Sequence, residues 1–334
     1  MTATGEAPLR FALVGAGGIA QSYVQVFQGF AEGEVVGVAD LKPELAKSAA
    51  EALGCRAFGS HIDVLDAGCD AAIVCTPPAT HFDVCMEVLE AGVPVLCEKP
   101  LTLDVASARK LIEASAASGV LLTMAAKFRY VDDVIRAKSI VESGILGEII
   151  LFENVFASRV PMEGRWNADP SVSGGGVLID NGTHSVDVAR YFLGPIADVM
   201  AVEGKRVQHL EVEDTARLFI RSLDGVNGTM DLSWSIDKEV DSYIDIYGSH
   251  GTIRVGWRES RYRQSSSPDW VQFGHGYDKV DCMRRQVTNF CDAVRGTDHL
   301  LITAEDALAS VAVIEAAYAS LGQSHWAQVG EIQV

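Results

Sequence analysis

Positive charge is what this sequence has least of. Lys and Arg total 27 against 45 Asp and Glu in 334 residues, a formal net charge of −18. That balance argues against nucleic acid or an anionic membrane as the main partner, since both call for a basic surface. Any anionic ligand must be held by local dipoles and a few placed cations. No apolar run reaches the ~18 residues that suggest a membrane span. Met1 to Pro8 has neither the basic start nor the apolar core of a secretory leader, so a cytoplasmic protein is expected. Seven cysteines occur, none in Cys-x-x-Cys spacing. Several, such as Cys75, Cys85, Cys97 and Cys291, fall in predicted strands or helices, which predicts reduced, buried thiols. Repeats and low-complexity segments are missing too.

What is present is an ordinary globular composition, 48% hydrophobic and 22% charged. Single cores rarely grow beyond roughly 250–300 residues, so two domains are expected. From Arg10 to about Ala126, short apolar runs alternate with helical patterns. Phe11–Val14, Val35–Ala39, Ala71–Cys75, Val93–Cys97 and Leu121–Ala125 read as strands, with helices of about 10–15 residues between them. This is the rhythm of a doubly wound parallel sheet. From about Glu148 the rhythm changes. Glu148–Phe156, Thr215–Arg221, Gly228–Trp234, Tyr243–Tyr247 and Thr252–Val255 read as strands, several alternating cleanly, as in an antiparallel or mixed sheet with one face on a core. Arg258–Tyr277 is polar and irregular and reads as a loop. Two helices follow, about Val280–Arg295 and Ala304–Leu321. The expected boundaries are 1–127 and 128–334, with the last helix able to pack back on the first domain.

Gly15-x-Gly17-x-x-Ala20 follows the first strand and opens a helix. Gly15 permits the tight turn. Gly17 lets backbone approach a pyrophosphate, and small Ala20 lets helix pack on strand. Gly18 and Ile19 stand where the helix start offers N–H donors and a positive dipole. Asp40 ends the next strand, where a carboxylate receives adenosine ribose hydroxyls and repels a 2′-phosphate. NAD is thereby favoured over NADP, although nearby Lys42 softens the choice. Thr76-Pro77-Pro78-Ala79-Thr80-His81 sits at another strand end, on the ligand side of such a sheet. The prolines stiffen the loop under the cofactor, and Thr80 is placed to cap the next helix. His81 is either a cofactor contact or a plain loop histidine.

Glu98-Lys99-Pro100 ends the strand Val93–Cys97, again on the ligand side. Here Glu98 and Lys99 border the cofactor, and the Lys99 charge can stabilise a developing alkoxide. Behind Gly174-Gly175-Gly176 come Asp180 and His184, at i and i+4 on one helix face. His184 is suited to take a proton from an alcohol near neutral pH, and Asp180 can orient the ring or hold a substrate hydroxyl. The competing assignment is a helix-capping Asp and a satisfied core His. No third ligand has recognisable spacing, so no metal is expected.

Together, Gly15–Ala20, Thr76–His81, Cys97–Pro100 and the Gly174–Tyr191 block resemble the glucose–fructose oxidoreductase/inositol dehydrogenase (Gfo/Idh/MocA) family, over essentially the whole chain. The resemblance implies Lys99, Asp180 and His184 as the catalytic group and a cis peptide before Pro100. It also implies a Rossmann domain followed by an α/β domain whose open sheet mediates dimers or tetramers. Independently, an antiparallel sheet with an uncovered face carrying residues such as Phe219, Trp234 and Tyr247 should seek a partner. Usual substrates are sugars, cyclitols and their derivatives. Met124–Tyr130 matches the family's domain crossover, which makes Lys127 a candidate cofactor or substrate contact and Arg129 a structural ion pair. Arg159, Trp166 and Asn167 precede the triple glycine and are candidates to line the substrate pocket; Trp166 serves equally as a packing aromatic. The expected activity is NAD-dependent oxidation of a sugar or cyclitol secondary alcohol. Its rivals are an NADP(H)-dependent reductase of a keto-sugar or nucleotide sugar, and a nucleotide-sensing regulator without chemistry.

Overall fold

A computed structural model describes residues 7–323 and 325–330, so most of the Met1–Pro8 segment lies outside the described residues. The first half is built from β1 (Leu9–Val14), α1 (Ala20–Phe27), β2 (Gly33–Ala39), α2 (Pro43–Leu53), β3 (Arg56–Phe58), α3 (His61–Asp66), β4 (Ala71–Val74), α4 (His81–Glu90), β5 (Val95–Glu98), α5 (Val105–Ser118) and β6 (Leu122–Ala125). Its six strands are all parallel, in the order β3-β2-β1-β4-β5-β6. Parallel sheets are covered on both faces, which is why β1 and β4 read as unbroken apolar runs and are buried throughout their inner residues. The order reverses between β1 and β4, and ligands bind outside the carboxyl ends of the strands at such a point. Pro43 sits in the first turn of α2, where its missing N–H costs nothing. Three-residue β3, on the edge, was too short to leave a pattern in the sequence.

The second half runs α6 (Asp132–Glu142), β7 (Ile149–Ala157), α7 (Pro170–Ser173), α8 (Val177–Leu193), β8 (Ile196–Glu203), β9 (Thr215–Ser222), β10 (Asn227–Ser233), β11 (Ser242–Gly248), β12 (Gly251–Gly256), β13 (Ser260–Gln264) and β14 (Val271–Gly274). Helices α9 (Lys279–Arg295) and α10 (Ala304–Ser320) and the short β15 (Ala327–Gln328) complete the chain. Nine strands form one sheet, ordered β14-β13-β12-β11-β7-β10-β9-β8-β15, antiparallel except where β10 lies parallel to β7. The chain divides into two units. The first holds residues to Leu101, Ala106–Lys127 and Lys279–Ala304, and therefore α9; the second holds Thr102–Val105, Phe128–Asp278 and the residues from Glu305 on.

Alternation in β9 matches the expected pattern, with Ala216, Leu218 and Ile220 buried and Arg217 and Arg221 exposed. The outward face carries a lattice of cross-strand ion pairs: Arg217 with Asp231 at 2.5 Å, Arg221 with Asp198 at 2.9 Å and Arg254 with Asp245 at 3.5 Å. Trp234 is not on that face. It is 2% exposed, because β10 and its alternation end at Ser233 and the Trp234 amide turns inward to the Asp214 carbonyl, 2.8 Å away. The segment Arg258–Tyr277 is likewise not a loop throughout, since it contains β13 and β14. These are the last two strands at one side of the sheet, short and without a fully buried face, so they leave no apolar period. No disulfide joins the seven cysteines, and five of them are buried. Among the described residues no helix is long and apolar enough to cross a membrane.

Candidate active site

In the first unit the loop after β1 is shaped by what its glycines exclude. Gly15 has φ +92, and a Cβ there would lie 2.7 Å from the backbone carbonyl of Cys75 on the neighbouring strand. At Gly17 and Gly18 the opposite holds: nothing lies within 4 Å of where a Cβ would stand, so the backbone at the start of α1 is open to close approach. Ile19 caps that helix without a side-chain hydrogen bond. First-turn N–H groups without a side-chain cap, beside an open glycine cradle, fit a pyrophosphate. Asp40, just past β2, accepts a hydrogen bond from the Ala16 amide on Oδ2 at 2.7 Å and from the Lys42 amide on Oδ1 at 2.8 Å. A carboxylate has about four acceptor sites, so both oxygens retain capacity for ribose hydroxyls.

Thr76 and Pro77 follow β4 and stay partly exposed. The Thr80 hydroxyl does not cap α4; it donates to the Pro77 carbonyl at 2.8 Å and shares a hydrogen bond with the Thr76 hydroxyl at 2.9 Å, tightening the loop on itself. The ring of His81 is buried, with Nδ1 2.7 Å from the Pro100 carbonyl and Nε2 2.8 Å from the Thr76 carbonyl. Both nitrogens are thus engaged by backbone, and His81 ties the Thr76 and Pro100 segments together. Burial pushes its pKa down, against the pull of the two carbonyls.

The Lys99–Pro100 peptide is cis, as the resemblance implied. Glu98 is also turned inward. Its Oε1 accepts from Tyr23 Oη at 3.0 Å and its Oε2 from the Lys99 amide at 3.3 Å, while Gln286 Nε2 of α9 donates to Tyr23 Oη at 3.1 Å. Burial raises the Glu98 pKa, and the Lys127 and Lys99 charges hold it down. Lys127, after β6, is pushed down to about 8 by burial; Glu98 opposes the shift, and Lys279 and Lys99 add to it. The end of β5 is therefore a buried carboxylate among lysines. Tyr23 and Gln286 went unseen in the sequence because no spacing ties them to Glu98.

In the second unit, α8 presents Asp180 and His184 one turn apart. The triple glycine makes room for the groups that fix its start. At Gly175 a Cβ would sit 1.9 Å from Tyr318 Oη, and at Gly176 it would sit 2.0 Å from the Glu213 carbonyl. Glu213 is 4% exposed, and its Oε1 accepts from the Gly176 and Leu178 amides, both at 3.0 Å, and from Tyr318 Oη at 2.8 Å. A carboxylate at a helix N-terminus satisfies orphan amides and complements the dipole. At the far end of α8, Arg129 lies 2.8 Å from Asp187 and 3.2 Å from Asp306, and Arg190 lies 3.4 Å from Asp306. Arg129 is thus the structural ion pair expected of it, and its pKa is raised by these carboxylates. His184 meets Phe128 edge-on, ring centres 5.1 Å apart, and Phe156 at 6.5 Å.

The remaining candidates are more dispersed. Arg159 is exposed, and its amide donates to Asp237 Oδ1 at 2.8 Å. Trp166 and Asn167 sit in a single 3₁₀ turn, Trp166–Ala168, with Trp166 45% exposed. Among the described residues, no group of three or more His, Cys, Asp or Glu could hold a metal ion.

Residues 9–126 match the profile of an oxidoreductase family with an NAD-binding Rossmann fold, and residues 134–254 match the GFO/IDH/MocA C-terminal domain. The chain belongs to the GFO/IDH/MocA family. It is similar to inositol 2-dehydrogenase of Rhizobium meliloti, 24% identical with 94% of this chain and 97% of the relative covered. It is 25% identical to the rhizopine catabolism protein MocA of the same species, covering 92% and 93%. In fold it matches a levoglucosan dehydrogenase solved with NADH, with TM-score 0.90 and 20% identity over 97% of this chain and all of the other. A GFO/IDH/MocA member with this Rossmann domain is an NAD-binding oxidoreductase, and the glycine cradle and Asp40 fit that cofactor.

Proposed function

We propose that the protein is an NAD-dependent dehydrogenase that oxidises a secondary alcohol of a sugar or cyclitol. The observation that carries the reading is Asp180 and His184, one turn apart on a helix whose start is locked by Glu213. His184 takes the hydroxyl proton, and Asp180 orients the imidazole or a neighbouring substrate hydroxyl. Lys99 stabilises the negative charge that develops on the oxygen. Bound NAD supplies the hydride acceptor. Asp40 favours a free ribose 2′-hydroxyl over a 2′-phosphate. The names of the inositol and levoglucosan dehydrogenases support the sugar or cyclitol class.

We further infer that the protein works in the cytoplasm as a homodimer or homotetramer. The absence of disulfides among seven cysteines supports a reducing compartment, and exposed Leu151 and Val202 on the ion-paired sheet face support a second copy there.

A screen of polyols and sugars with NAD, followed at the nicotinamide absorbance, tests the activity. His184→Ala should lower turnover roughly 10²–10⁴-fold, the usual weight of a general base. NAD affinity should hold, since the groups proposed to bind the cofactor lie in the other unit. A fully active but destabilised His184→Ala protein would instead make His184 a core residue and remove the mechanism.

A further inference from the structure

The aromatic rings around His184 form a graded cluster. Phe128 and Phe156 border His184 and are buried, as is Tyr243, which stacks on Phe156 with ring centres 5.8 Å apart. Trp257 and Tyr277 form the open side of the same cluster. Tyr277 stacks on Phe128 at 5.3 Å with the planes 21° apart, and Trp257 lies 4.5 Å from Tyr243 and 5.6 Å from Tyr277, nearly perpendicular to it. Trp257 remains 38% exposed and Tyr277 half-buried.

These two rings are held with more apparatus than a surface needs. Asp133 of α6, buried, accepts from Ser260 Oγ at 2.5 Å, from the Gly276 amide at 2.8 Å and from the His275 amide at 3.1 Å. Gly276 has φ +94, and a Cβ there would lie 2.4 Å from the Trp257 carbonyl. The Tyr277 amide then donates to that same carbonyl at 3.1 Å. Trp257 and Tyr277 are thereby fixed to each other and to the buried rings, as a preorganised surface must be.

We propose that Trp257 and Tyr277, packed on the Phe128 and Phe156 rings that border His184, form an apolar wall on which the C–H face of a ring-form polyol lies, and that this wall selects a cyclic polyol or pyranose over an open-chain polyol. A six-membered ring presents several C–H groups on one face, polarised by their oxygens and matched to the negative face of an aromatic ring. An open chain must freeze its torsions to present the same surface. The inference rests on the reading of His184 as the base of a polyol dehydrogenase.

The test uses the full-length protein with NAD and a panel of myo-inositol, glucose and open-chain sorbitol. Each is followed by steady-state kinetics and by saturation-transfer NMR on the wild type, Trp257→Leu, Trp257→Phe and Tyr277→Leu. Trp257→Leu and Tyr277→Leu should raise KM for the ring substrate by roughly tenfold, the weight of one stacking contact, with kcat within a few-fold. Trp257→Phe should restore most of the loss and so exclude misfolding as the cause. Sorbitol should bind poorly in all four proteins. An unchanged KM in both Leu variants, or an equal loss for sorbitol, would overturn the wall while leaving the dehydrogenase reading in place. Ring-proton saturation that disappears in Trp257→Leu, without turnover in the wild type, would keep the wall and overturn the dehydrogenase reading. Neither binding nor turnover of any ring polyol would overturn both.

Discussion

Removing the Glu213 carboxylate should damage the second unit far more than neutralising it. Glu213→Ala strips one acceptor from three donors at once: the Gly176 amide, the Leu178 amide and the Tyr318 hydroxyl. Each buried donor left unsatisfied costs about 1–3 kcal/mol, and water reaching the new cavity would recover part of it. Loss of the helix-dipole interaction adds about 0.3–1 kcal/mol. A destabilisation of about 3 kcal/mol or more follows, equivalent to a fall in Tm of about 6–12 °C for a unit of this size. Glu213→Gln keeps an amide oxygen where Oε1 stands, so about 1 kcal/mol is expected, chiefly the charge-dependent part of the bonds. Because α8 carries Asp180 and His184, turnover should fall in Glu213→Ala even below its melting temperature, whereas NAD affinity should not. Differential scanning calorimetry, turnover and NAD titration on the same samples read all three. If Glu213→Ala melted within a degree of Glu213→Gln, the three hydrogen bonds would not be what fixes the helix, and the reasoning would fail.

Lys127 offers a test through pH. Its pKa falls from the usual lysine range to about 8, so between about pH 8 and 10.5 the unfolded chain holds a proton that the folded chain has released. The linkage sign makes this lysine's contribution to stability rise with pH in that window, and Lys127→Met should remove that rise in urea titrations compared with wild type. Asp40 should give NAD a catalytic efficiency at least roughly tenfold above NADP, the cost of placing a 2′-phosphate beside a carboxylate; comparable efficiencies would count against its role. Sedimentation at micromolar concentration should show a dimer or tetramer. Arg217→Glu, which sets like charges opposite Asp231 on the sheet face, should weaken that assembly, and a monomeric wild type would contradict the proposed interface.

The parallel half was readable because its physics is local. Strands buried on both faces leave unbroken apolar runs, and the spacing of Gly15, Gly17 and Asp40 follows from one turn and one strand length. Asp180 and His184 were readable because helical geometry links i to i+4. The supports of both sites were not. Tyr23 meets Glu98 across 75 residues, Gln286 meets Tyr23 across 263, and Glu213 reaches Gly176 across 37. Nothing in a single sequence marks such pairs. Glu98 and His81 show the same limit from the other side: their place at strand ends suggested ligand contacts, while the orientation of the side chains, set by neighbours distant in sequence, turned both inward. Trp257 and Tyr277 flank a polar stretch whose short strands carry no period, so the cluster built on the rings that border His184 emerged only from the packing.

The bond from the Ala16 amide to Asp40 makes the glycine loop and the end of β2 mechanically one piece. That has a practical bearing on redesign of cofactor preference. Deleting the carboxylate to admit a 2′-phosphate would also unfasten the loop proposed to hold the pyrophosphate, so affinity for either dinucleotide should drop. Asp40→Asn or Asp40→Ser keeps an acceptor toward Ala16 while removing the charge. The matching cation belongs at the next position, Leu41, whose side chain is 90% exposed and can be exchanged for arginine without disturbing the core.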